Sequence, residues 1–86
     1  MNEIFGFKVM QGGKHTLIAG HVKTKDGNME FSGVLDSTDI MTLSSTLYAL
    51  YISLQLYTYE GQGNSKIKVS YQGPAELDVR PASGTD

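Results

Sequence analysis

Two glycine-centred turns, Gly12-Gly13 and Asp26-Gly27, constrain this chain more than any other feature, because they divide its first 35 residues into three strand-length segments. Gly and Asp-Gly tolerate the positive φ angles that two-residue hairpin loops demand. With Gly12-Gly13 central in the first turn, Phe7 faces Ile18, Phe5 faces Gly20 and Val9 faces Thr16. With Asp26-Gly27 central in the second, Val22 faces Phe31, Ile18 faces Leu35, Gly20 faces Gly33 and Thr24 faces Met29. Both registers place Phe5, Phe7, Val9, Ile18, Val22, Phe31 and Leu35 on one side. A one-residue slip would scatter that set over both faces. Gly20 and Gly33 leave a gap beside Phe5 that a ring or a closely approaching helix would fill.

The meander runs into Asp36-Ser37-Thr38-Asp39, a helix-start sequence in which Asp36 caps and Asp39 reciprocates near the positive end of the dipole. Ile40, Leu43, Leu47, Leu50, Leu54 and Tyr57 follow at spacings of 3-4-3-4-3, one face of a helix over about residues 37–57. Residues 52–59 also alternate and carry β-favouring Ile, Tyr and Thr, so strand is the competing reading there. Glu60-Gly61 supplies a left-handed stop. Lys66 to Tyr71 alternates as a fourth strand, and Glu76 to Arg80 as a short edge strand. The expected fold is α+β: a three-stranded antiparallel β-meander packed by one long helix, with one or two further strands, as a two-layer sandwich. Residues 1–80 form a single domain and 81–86 a flexible tail.

Composition excludes several chemistries. With 86 residues and no cysteine, the chain has no disulfide framework, thiolate nucleophile or Cys-based metal site. Seven Lys plus Arg against nine Asp plus Glu, a net charge of −2, argue against binding nucleic acid through its phosphates. The first residues lack a signal-peptide pattern, so the expected compartment is cytoplasmic.

From Ile40 to Tyr59 no residue is charged. Thr42, Ser44, Ser45, Thr46, Ser53, Gln55 and Thr58 make the run too polar for a membrane span. Beside the sheet-facing stripe it carries a second one, Met41, Tyr48, Ile52, Leu56 and Tyr59. A helix apolar on two sides is buried on two sides. Either the C-terminal segment wraps over the second stripe, or another chain does. The second is the reading adopted, with these five residues as the seam of a homo-oligomer. The reverse sheet face collects Ile4, Gly6, Lys8, Leu17, Ala19, His21, Ser32 and Val34, with Glu30 facing Lys23, and is read as a solvated face.

No catalytic residue emerges. His21 faces Ser32, but no carboxylate orients the ring. His15 and His21 lie about 20 Å apart by strand rise, too far to share a metal, and no metal or cofactor is expected. Gly61-Gln62-Gly63-Asn64-Ser65-Lys66 is Gly-rich with a lysine, but follows a helix and precedes a strand, the reverse of a phosphate cradle. As a binding loop, Gly61, Gly63, Asn64 and Lys66 would act with His21 or Arg80 on a small anion or nucleotide in a pocket between subunits.

Met29-Glu30-Phe31-Ser32-Gly33-Val34-Leu35-Asp36-Ser37-Thr38-Asp39, leading into an apolar helix, resembles small uncharacterised bacterial domains in which a meander steps into one long helix. This chain departs from their pattern at Leu35. The resemblance implies the fold and no activity. The function expected is a small non-enzymatic protein-binding module, homo-oligomeric and contacting another protein. By analogy of size and acidity, it would be an inhibitor, immunity protein or phage or bacterial accessory protein. A small-ligand or nucleotide-binding protein is the alternative.

Overall fold

A computed structural model describes residues 1–36, 38–58, 65–70 and 74–82. Strands β1 (Glu3–Gly12), β2 (His15–Thr24) and β3 (Gly27–Leu35) form the meander, followed by helix α1 (Ile40–Gln55), β4 (Ser65–Ser70) and β5 (Pro74–Pro81). The five strands make one antiparallel sheet in the order β1-β2-β3-β5-β4. Among the described residues the fold is therefore α+β, with a meander and one helix packed against the sheet.

Both hairpins turn one residue away from the expected place. Gly12 pairs with His15, so Gly13-Lys14 make the first turn, with Gly13 at φ 63. Thr24 pairs with Gly27, so Lys25-Asp26 make the second. There the Thr24 hydroxyl accepts from the Asp26 N–H (3.0 Å) and donates to the Gly27 carbonyl (2.9 Å). Each displacement moves the register by two residues, so side-chain parity survives while partners change. Ile18 faces Val9 and Gly33, Val22 faces Met29, and Gly20 faces Phe31. The gap at Gly20 is filled by the Phe31 ring rather than by Phe5.

A second departure inverts parity. Phe5 pairs with His21 and Lys8 with Ala19, so β1 carries two residues, Gly6 and Phe7, where β2 carries only Gly20. Gly6 takes φ 65, the left-handed conformation of a β-bulge. Below the bulge Ile4 stands opposite Val22 on the core side, and Phe5 turns to the reverse face against expectation. Above it Phe7 stays inward, its ring 5.6 Å from that of Phe31, whereas Val9, on the same side, remains exposed.

The core joins Ile18, Val22, Met29, Phe31 and Leu35 of the meander to Leu77 and Val79 of β5 and Leu43, Leu50 and Leu54 of α1. Ile40, expected in the sheet-facing stripe, is 75% exposed in the first helical turn. The helix is shorter than expected, and its cap is Asp39 rather than Asp36. Asp39 is extended (φ −70, ψ 125), and its carboxylate accepts from the Thr42 N–H at 3.0 Å and the Thr42 hydroxyl at 2.9 Å. Asp36 instead meets His15 Nδ1 at 2.9 Å. Residues 52–55 are helical, and α1 closes at Leu56. The expected stop at Glu60-Gly61 lies outside the described residues.

Asn2 holds that end. Its side-chain amide donates to the carbonyls of Leu54 (2.9 Å) and Tyr57 (2.7 Å), and its backbone N–H to that of Gln55 (3.2 Å). Three carbonyls at the helix terminus are thus served from the far end of the sequence. β5 is not an edge strand: it lies between β3 and β4, with Leu77 and Val79 wholly buried in the core cluster. Pro81 closes β5 opposite Met29, and the Ala82 N–H donates to the Asn28 carbonyl.

Candidate functional site

With Leu43, Leu50 and Leu54 committed to the core, helical geometry turns Met41, Tyr48, Ile52 and Leu56 to the far side of α1. Met41, Tyr48 and Leu56 are 78%, 69% and 68% exposed, and Ile52 is 37% exposed. Tyr51 extends the apolar area on one flank. Nothing among the described residues lies over this side. The C-terminal strands enter the sheet instead of wrapping the helix. Tyr59, the fifth residue of the expected seam, lies outside the described residues.

The open face of the sheet is differently built. Phe5, re-aimed by the bulge, stacks on His21 with ring centroids 5.2 Å apart and planes 16° from parallel. His21 stands opposite Glu30, not Ser32, so the histidine–hydroxyl pairing envisaged from sequence does not form. Glu30 stands opposite Arg80 rather than Lys23, and Arg80 Nη2 lies 3.8 Å from Glu30 Oε2. Of the residues considered for a small anion, His21 and Arg80 are therefore gathered on either side of one carboxylate. Lys66 stands opposite Asp78 on β4, and Gly61, Gly63 and Asn64 lie outside the described residues.

Beside this row is a depression of about 420 Å³ whose polar lining includes Lys8, His21, Glu30, Ser32, Asp78 and Arg80. A second, of about 630 Å³, is lined by Met10, Leu17 and Val34 together with Asp36, Glu76 and Asp78. The two meet over Ala19, Ser32 and Asp78, which line both. Sequence reasoning passed over Phe5, Met10 and Asp78 here. For Phe5 the available signal was Gly6, a lone glycine within a strand and the mark of a bulge.

Electrostatics single out the helix start. Two hydrogen bonds to Thr42, the backbone one foremost, hold the Asp39 carboxyl below its ordinary value of 3.8. No group of three or more His, Asp or Glu suited to a metal ion occurs among the described residues, and no described helix is long and apolar enough to cross a membrane. Comparison with protein-family models, curated proteins and solved structures found no match to this chain.

Proposed function

We propose that the chain is a small non-enzymatic protein-binding module that works as a homo-oligomer joined through the outer side of α1. The single observation that carries this reading is the exposure of Met41, Tyr48, Ile52 and Leu56 on a helix with no charged residue. Apolar area on this scale is costly to leave in water and marks contact surfaces. A second copy is the occupant, because like faces without charge meet without repulsion and a two-fold contact is self-complementary. In an antiparallel pairing centred near Tyr48 and Ala49, Met41 of one copy faces Leu56 of the other, and Ser45 faces Ile52. The 16 residues of α1 offer a seam about 24 Å long. Each subunit is then a two-layer unit, sheet outward and helix inward. The open sheet face remains available to a different protein, an inhibitor's or accessory protein's arrangement.

Sedimentation velocity tests the seam. The expected result is a dimer or larger species at micromolar concentration, and a monomer for Tyr48→Glu with Ile52→Glu. Both side chains point outward, so the double variant keeps the strand signal in circular dichroism. A wild-type chain that sediments as a monomer at high micromolar concentration overturns the reading.

A further inference from the structure

We propose that the open face of the sheet is a binding site for a short zwitterionic peptide carrying an apolar side chain. Across four strands one row of residues runs Lys8, Ala19, Ser32, Asp78. Its middle is small and is flanked by opposite charges, Lys8 on one side and Asp78 on the other, with the Lys66 position next beyond Asp78 on β4. Neither the Lys8 nor the Asp78 side chain is ion-paired or hydrogen-bonded among the described residues. The rows on either side are bulky: Met10, Leu17 and Val34 on one, Phe5 and His21 with the Glu30–Arg80 pair on the other. The result is a trough lying across the strands, floored by Ala19 and Ser32, where the two depressions join.

Three inter-strand steps of roughly 4.8 Å put the backbones of Lys8 and Asp78 about 14 Å apart. An extended tripeptide spans about 10 Å, which leaves room for the lysine stem. Its carboxylate would meet Lys8, its ammonium Asp78, and its middle side chain the Met10, Leu17 and Val34 wall. A phosphorylated ligand fits worse, because Glu30 and Asp78 would oppose its charge. An uncharged helix such as α1 of another copy fits worse too, since it would bury Lys8 and Asp78 without partners. The site lies on the sheet face away from α1, so it does not depend on self-association.

The probe is the tripeptide Ala-Leu-Ala, titrated to millimolar concentration against labelled protein while amide resonances are followed. Saturable shifts at Ala19 and Ser32 are expected. Acetylating the N-terminus or amidating the C-terminus should each weaken binding about tenfold, the loss of one charge-assisted contact. Lys8→Glu should abolish binding, and Lys8→Glu with Asp78→Lys should restore it with the peptide reversed. Both positions are exposed, so these variants remain folded. Lys66→Ala, beyond Asp78 in the same row, should leave affinity unchanged or raised; its loss overturns the assigned ends. The proposal also fails if Ala19 and Ser32 do not move, if the doubly capped peptide binds equally well, or if shifts fall on Tyr48 and Ile52 instead.

Discussion

A methyl group added at Gly20 would stand 2.6 Å from Cζ of Phe31 and 3.2 Å from the Gly6 carbonyl oxygen. Phe31 is only 2% exposed, so its ring has nowhere to retreat. Gly20→Ala should therefore destabilise the fold by about 1–3 kcal/mol, as overpacking does, seen as a lower Tm in thermal unfolding. Gly12→Ala is the control, since nothing lies within 4 Å of its added carbon, and it should leave the Tm unchanged or slightly raised. Asp39 makes a pH-dependent contribution of definite sign. Its carboxyl is held below 3.8 in the folded chain, so the cap's stabilisation is present above that value and is lost as pH falls through the lowered one. Asp39→Asn retains an acceptor but does not titrate there. The difference in Tm between the two proteins should be constant near neutrality and shrink below about pH 4.

At the scale of elements, the ends of α1 and the place of β5 are the informative features. Asn2 supplies the amide that closes the helix, so Asn2→Ala should take one donor each from the carbonyls of Tyr57 and of Leu54, which keeps the Tyr57 N–H. Loss of such a bond costs about 0.5–1.5 kcal/mol, and hydrogen exchange should quicken first in the last turn of α1. Leu77 is fully buried and packs on Gly33, where an added carbon would meet its Cδ2 at 2.8 Å. Leu77→Ala should cost about 2–5 kcal/mol, a core-strand penalty. An edge strand would tolerate the change far better, so denaturant unfolding distinguishes the two positions for β5. Alternation identified the strand itself, Leu77 and Val79 inward and Glu76, Asp78 and Arg80 outward. Its neighbour was illegible, because alternation states which face a residue takes and not which strand lies alongside.

For the whole molecule, the proposed self-association would couple stability to concentration. The Tm of the wild-type chain should rise with protein concentration by mass action, while that of Tyr48→Glu with Ile52→Glu should not. Turn chemistry and period were enough to derive from sequence the meander, the helical stretch and the inward set from Ile18 to Leu35. They were enough because parity is a local property: a turn displaced by one residue shifts the register by two and leaves each side chain on its face. Local patterns also marked the outer stripe of α1, since a charge-free run is visible without coordinates. Tertiary contacts decided the rest. The bulge at Gly6 sent Phe5 to the open face, where it stacks on His21. Asn2 closed a helix more than 50 residues away. β5 entered between β3 and β4 and brought Asp78 and Arg80 beside Ser32 and Glu30. Each of these joins groups distant in the chain, and their free energy comes from packing and hydrogen bonding that no short window of sequence contains.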